Sequence, residues 1–260
     1  MSQPKILIFD IETAPNLAHV WGLWDNNVGL NQLMAEGYIL SYAAKWLGKP
    51  KIFYAENRTD NDKKLVESLC KLLDEADIIV GHNGKRFDLN WVRGSAAAHG
   101  LPPFSPVKVV DTLLETRKIF KYPSYKLEYL LKKFGCTHKE MHKNFIGHTL
   151  WTECLAGNPK AWKEMKAYNI VDVTALEELY LKLRGWISHP NMGAFIESTV
   201  PVCSKCGTDK LSKDGYYRTN TGKFQQYRCK DKGCGGWARS RTTVYDKDKR
   251  GSLLASVSLS

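Results

Sequence analysis

The chain has 260 residues, with 38 Lys+Arg against 27 Asp+Glu for a formal charge of +11, and 43% of its residues are apolar. That apolar share furnishes a core and excludes a mainly disordered chain, while no run approaches the roughly 18 apolar residues that a membrane span needs. The N-terminal MSQPKILIFDIETAP puts charge and turn formers where a signal peptide would be apolar, so a cytoplasmic protein with no membrane partner is expected.

The first predicted element is a strand over KILIFDIE (5–12), a short β-rich apolar run. YILSYAAKW and KIFYAE, split by the turn-like LGKP, predict a pair of strands. The stretch from Trp21 to Trp24 lies in the loop between the first strand and this pair, as a candidate substrate wedge. DNDKKLVESLCKLLDEA spaces leucine and valine at helical intervals behind an Asp-rich start, which predicts an amphipathic helix. DIIVGHN predicts a strand running into a loop, followed by a helix from about Asp88 to Ala98. VKVVDT predicts a last short strand, with Asp111 capping the next helix.

Helical patterns dominate from Leu113 to Leu183. KLEYLLKKFG closes on Gly135 as a C-cap, and the stretch from Pro159 to just before Gly185 predicts one helix of about seven turns or a kinked pair. Strands first and helices later, with strand–helix–strand units between them, predict an α/β domain on a mixed sheet over residues 1–184. Residues 185–200, with Pro190 and Gly193, are expected to be a linker to a small module over 201–240. A charged tail follows over 241–260, expected to be partly disordered.

The basicity is concentrated in that module. Residues 201–250 hold 13 Lys+Arg and 5 Asp+Glu, so most of the net charge falls there. Cys203-x2-Cys206 and Cys229-x4-Cys234 lie in the same stretch, 22 residues apart, a four-thiolate spacing suited to one tetrahedral Zn2+. Such a closed set keeps no position for water and is structural. Gly207 and Gly235 directly follow the second Cys of each pair, where tight metal-binding turns favour glycine. YYRTNTGKFQQYRC predicts two strands around a TNTGK turn, and the segment resembles a zinc ribbon. Arg218, Lys223, Arg228 and Lys230 interleave there with Tyr216, Tyr217, Phe224, Tyr227 and Trp237. The cations are candidate phosphate contacts and the rings can stack bases, with about half of the rings expected in the ribbon's small core. Cys136, His138, His142 and His148 are read as ordinary loop residues rather than a second metal site.

The acidic candidates lie elsewhere. Asp10 and Glu12 end the first strand two residues apart, so both carboxylates point to one face. Adjacent like charges are costly without a cation, and an all-oxygen pair suits Mg2+ or Mn2+. Asp88, in GHNGKRFD, stands at a loop-to-helix junction, where capping that helix is its alternative role. Tyr168 and Asp172 are four apart in AYNIVDVTA and share one helical face.

FDIET, the Asn-x-x-x-Phe-Asp pattern of Asn83 to Asp88 and the Tyr-x-x-x-Asp pattern of Tyr168 to Asp172 follow one another in that order. Together they resemble the three motifs of the DEDD exonucleases, a superfamily of 3′→5′ exonucleases on a ribonuclease H-like fold. The resemblance covers residues 1–184 and is nearest to the tyrosine subtype, since the histidine subtype would need His where Ala167 stands. It implies that Asp10, Glu12, Asp88 and Asp172 hold two Mg2+ or Mn2+ ions and that Tyr168 orients the attacking water. It also implies that Asn83 meets a phosphate or sugar, while Phe87 belongs to the core. The expected activity is metal-dependent 3′→5′ hydrolysis of nucleic acid, with single-stranded DNA favoured and a separate polymerase or repair protein as a further partner. The competing expectations are a structure-specific endonuclease on the same fold and a non-catalytic binding scaffold.

Overall fold

The computed structural model describes residues 3–137 and 144–257. Its strands and helices run in the order β1 (Ile6–Thr13), β2 (Leu17–Ala18), β3 (Leu33–Ala35), β4 (Ile39–Trp46), β5 (Ile52–Glu56), α1 (Lys63–Asp74), β6 (Ile78–Gly81), α2 (Asp88–Ala98) and β7 (Lys108–Asp111). Helices α3 (Thr112–Ile119), α4 (Leu127–Lys133), α5 (Thr149–Leu155) and α6 (Pro159–Leu183) follow, then β8 (Leu211–Arg218), β9 (Lys223–Cys229), β10 (Trp237–Arg239) and α7 (Lys247–Gly251). The chain divides into two compact units, Lys5–Tyr180 and Leu181–Ser260 with Met1–Pro4.

In the first unit five strands form one mixed sheet in the order β5-β4-β1-β6-β7. β4 runs antiparallel to both of its neighbours, β5 and β1, and β1, β6 and β7 are parallel. The predicted α/β fold with a mixed, helix-flanked sheet is therefore observed. β1 has a different use for each face. Its odd residues Leu7, Phe9 and Ile11 pack with Leu65, Val66, Leu69 and Leu73 of α1 and with Leu89 and Val92 of α2, all buried. Its even residues Asp10 and Glu12 look the other way. On that side Leu40 of β4 packs with Leu150 and Cys154 of α5 and with Trp162 and Met165 of α6. An ion pair from Lys45 to Glu177 also joins β4 to α6. The stretch read as one long helix or a kinked pair is the single 25-residue helix α6.

In the second unit β10, β9 and β8 form a three-stranded sheet in that order. β8 begins at Leu211, ahead of the predicted start, because Gly215 at φ +66° lets a bulge between Lys213 and Tyr216 keep the ladder in register. The span 185–200 is not an open linker. Ile187, Met192 and Ile196 are buried, and Met192 N donates to Ser204 O at 3.0 Å. The start of the tail is ordered too, since Ser240 N donates to Gln225 O at 2.9 Å and Val244 N to Lys223 O at 2.8 Å. Asp246 then caps α7 through Lys249 N at 2.7 Å. Backbone pairing to the part of β9 that lies beyond β10 orders residues whose composition reads as disordered. Among the described residues, no helix is long and apolar enough to cross a membrane.

Candidate active site

The site forms at the carboxyl end of β1, where the sheet changes from antiparallel to parallel, a usual place for ligands in α/β sheets. Asp10 and Glu12 reach it because the two-residue repeat of β1 carries both to the α6 side. Asp172 comes from α6, and ligand oxygens of Asp10, Glu12 and Asp172 lie within 4.8 Å of one another. Asp88 completes the acidic group from α2. The helix cap is Phe87 and makes no side-chain bond, while Asp88 Oδ1 accepts the backbone N–H of Ile11 at 3.1 Å. That bond crosses to the strand between the two β1 acids and ties Asp88 to the site. A Cβ at Gly84 would press on the Gly81 backbone, 3.2 Å from its Cα.

Electrostatics here are extreme for a protein interior. Burial is the largest cause that lifts Asp10 well above the usual carboxylate range, followed by repulsion from Asp88, Glu12 and Asp172. Glu12 is lifted well above its range by burial and then by Asp172 and Asp88. Burial likewise pushes Asp88 and Asp172 up to about 7. Asp172 Oδ1 is buried and has no hydrogen-bond partner. Buried polar oxygens are otherwise nearly always satisfied, so a fully acidic pocket with an orphaned lone pair has the donor chemistry of a hard divalent cation site. The residues present fit such an ion.

Tyr168, one turn before Asp172, donates its hydroxyl to that carboxylate, and burial followed by the repulsion of Asp172 raises its pKa strongly. The phenol therefore stays protonated and acts as a hydrogen-bond donor. Three more groups serve the site without any motif to announce them. Asn169, fully buried, donates Nδ2 to Asp10 Oδ2 at 2.9 Å and accepts Ser41 Oγ at 3.2 Å. Trp151 of α5 donates to Glu12 and packs edge-on to Tyr168 with ring centres 5.9 Å apart. Asp111 accepts Leu113 N and Leu114 N as the predicted cap of α3, each at 3.1 Å, and also Asn83 N and Lys85 N at 3.1 Å. It thereby fixes the loop before Asp88, where Asn83 holds the left-handed φ of +66° that asparagine tolerates. Only the position of Asn83 in its motif points to this; the adjacency of Asn169 to Tyr168 is the one sequence signal for the others.

Phe87 is not in the core. It is 39% exposed and meets Trp91 edge-on at 6.4 Å, because α2 turns its buried face through Asp88, Leu89 and Val92 instead. Phe87 and Arg86 line an open cleft of about 770 Å3 with Met34, Tyr38, Trp91 and His99. Trp21 and Trp24 are fully or nearly fully exposed. His138 and His142 lie outside the described residues, and Cys136 is buried.

In the second unit the sulfurs of Cys203, Cys206, Cys229 and Cys234 gather within 4.8 Å of one another. Cys203 and Cys234 are 3.9 Å apart and Cys206 and Cys229 are 3.6 Å apart. A tetrahedron with zinc–sulfur bonds of about 2.3 Å has edges of about 3.8 Å, so the spacing fits a tetrahedral ion. Gly207 and Gly235 take the left-handed φ values of +79° and +59° that the two tight turns require. Thiol hydrogen bonds within the cluster pull Cys203 down and push Cys206 and Cys234 up. Of the candidate phosphate contacts, Arg218, Arg228 and Lys230 are exposed and Lys223 is half-buried against the Tyr216 ring at 4.0 Å.

A model of the RNase H superfamily matches residues 7–184. A DNA polymerase III of the PolC type from Ureaplasma parvum serovar 3 is 25% identical over 197 residues, which cover 68% of this chain and 13% of that protein. The structure of the family B DNA polymerase from the hyperthermophilic archaeon Pyrobaculum calidifontis superposes with a TM-score of 0.52 at 18% identity. That match covers 70% of this chain and 25% of the polymerase. The chain thus spans about an eighth of one relative and a quarter of the other, and the second likeness is one of fold.

Proposed function

The chain belongs to the RNase H superfamily, and from that premise we propose that it is a metal-dependent nuclease, a 3′→5′ exonuclease of the tyrosine DEDD subtype with a zinc-ribbon second unit. The observation that carries this reading is the convergence of half-buried Asp10 and Glu12 with buried Asp88 and Asp172, in which Asp172 Oδ1 has no partner. A scaffold that only binds has no reason to gather four repelling acids at a sheet switch point. Likeness to parts of two DNA polymerases supports nucleic acid as the substrate and a polymerase or other replication or repair protein as a further partner.

Asp10, Glu12, Asp88 and Asp172 would hold two Mg2+ or Mn2+ ions, which when bound activate a water and offset charge on the leaving oxygen. The chain's own contribution is position. Asn169 and Trp151 each donate to one carboxylate and fix its rotamer. Tyr168 keeps its proton, so it orients a water and does not deprotonate it. Asn83, whose backbone N–H is held by Asp111, would contact a phosphate or sugar. The four cysteines would hold one structural Zn2+, and Arg218, Lys223, Arg228 and Lys230 would meet phosphates.

The test is incubation of the purified chain with 5′-labelled single-stranded DNA, duplex DNA and RNA in Mg2+ or Mn2+, beside Asp10→Ala. A ladder that shortens from the 3′ end, absent in the variant, is the expected outcome. Discrete internal cuts would make the chain an endonuclease, and binding without cleavage would make it a scaffold.

A further inference from the structure

The three-stranded sheet of the second unit sorts its cations onto two faces. Cross-strand pairing sets Trp237 opposite Arg228, Arg239 opposite Gln226 and Tyr217 opposite Phe224. Opposed residues share a face, as do alternate residues along a strand, so these six lie together. Lys213 with Tyr227, Tyr216 with Gln225 and Arg218 with Lys223 lie on the other face.

On the first face planar cations and planar rings alternate across all three strands. The Arg228 guanidinium lies 4.7 Å from the Trp237 ring centre. The Arg239 guanidinium lies 4.1 Å from Phe224 and 5.3 Å from Tyr217. Both arginines are exposed, and Trp237 and Tyr217 keep 43% and 47% of their surface open. Neither arginine has a carboxylate partner among the described residues; the ion pair of this unit joins Arg184 to Asp231. Rings that served only as a ribbon core would be covered, and arginines that served only stability would be paired.

We propose that this face is a stacking platform for an unpaired nucleic-acid strand. Trp237, Tyr217 and the guanidinium planes offer flat surfaces to successive bases, and the arginine charge neutralises the adjoining phosphates. Duplexes hide their base faces in their own stack, so the platform selects single strands. An acidic peptide would satisfy the charge and leave the ring faces unused. The proposal takes the identity of the polymer from the nuclease reading, but the residues that carry it are in a different unit from the carboxylates.

The experiment uses the full chain as Asp10→Asn with zinc present, and measures binding of labelled dT20, of the corresponding duplex and of heparin by fluorescence anisotropy over a range of KCl. The single strand is expected to bind at least about tenfold tighter than the duplex. Trp237→Ala and Tyr217→Ala should each weaken it about tenfold, and Trp237→Phe, which keeps a ring, should weaken it less. Arg239→Lys keeps the charge and loses the plane, and should weaken binding several-fold, whereas Tyr216→Ala on the opposite face should change it less than twofold. Unchanged zinc content in each variant shows that the ribbon is intact. Equal binding of duplex or heparin, an Arg239→Lys variant that binds normally, or no binding of any of the three would each overturn the platform. Cleavage of thymidine 5′-p-nitrophenyl phosphate by the wild-type chain reads the carboxylates alone. If that activity is absent while the strand still binds, the nuclease reading fails and the platform stands.

Discussion

Asp172→Asn should make the protein more stable in the absence of Mg2+ and Mn2+. The wild-type carboxyl is displaced from 3.8 to about 7, which makes its anion about 4 kcal/mol less favourable in the fold than in water. The sign follows from proton counting. Between pH 4 and 7 the unfolded chain has released this proton and the folded chain has kept it, so stability falls as pH rises through that window. Asparagine keeps the shape and an acceptor for the Tyr168 hydroxyl but carries no charge. Because Asp10, Glu12 and Asp88 share the repulsion, part of the strain stays with them, and the gain above pH 7 should be roughly 2–4 kcal/mol, or roughly 5–15 °C in Tm. Thermal denaturation of both proteins at pH 4 and pH 8, with zinc retained and no other divalent ion, measures it. The two should converge at pH 4 and separate at pH 8, and added Mg2+ should stabilise the wild type more than the variant. A variant no more stable at pH 8, or more stable by the same margin at pH 4, would refute burial of the Asp172 charge as the cause.

Three further outcomes are expected. Tyr168→Phe should slow cleavage by less than Asp10→Ala does, because it removes one positioning hydrogen bond and no ligand, and a Tyr168→Phe rate as low as that of Asp10→Ala would refute this. Cys203→Ser, or zinc chelation, should melt Leu181–Ser260 while Lys5–Tyr180 keeps its cooperative transition, which amide exchange resolves, since a sheet of three short strands buries too little to hold itself. His82, whose Nε2 meets Tyr125 O at 2.9 Å, is pushed down to about 4 mainly by burial. Its neutral form contributes stability fully above about pH 6.5, and roughly 3 kcal/mol is lost as pH falls to 4, so the gap between wild type and His82→Gln should shrink over that range in urea melts.

The parts of this molecule that were legible in its sequence are those set by local periodicity. Asp10 and Glu12 share a face because a strand repeats every two residues, and Tyr168 and Asp172 meet because a helix nearly repeats every four. The tight turns at Gly207 and Gly235 were legible for a related reason, since a left-handed backbone leaves few residue choices. What was hidden depends on which elements become neighbours. Asn169 is one more polar residue in a helix until Ser41 and Asp10 arrive from two strands, and Trp151 is one more aromatic until α5 settles beside Glu12. Phe87 was misplaced for the same reason, because the rotation of α2 is decided by Leu89 and Val92 against β1. The supposed linker failed on composition, where Pro190 and Gly193 mask the apolar Ile187, Met192 and Ile196, which are buried.

The alternation along β1 also bears on how such a protein can change over generations. Leu7, Phe9 and Ile11 pack into the core, while Asp10 and Glu12 carry charges that burial and mutual repulsion make costly. Under the proposed function, one substitution among the acids would cost activity and no structure, and a descendant would keep its shape, and any grip on a strand, after its chemistry had gone. Folded but silent relatives are one mutational step away, and the same step back is open to them for as long as the odd residues hold.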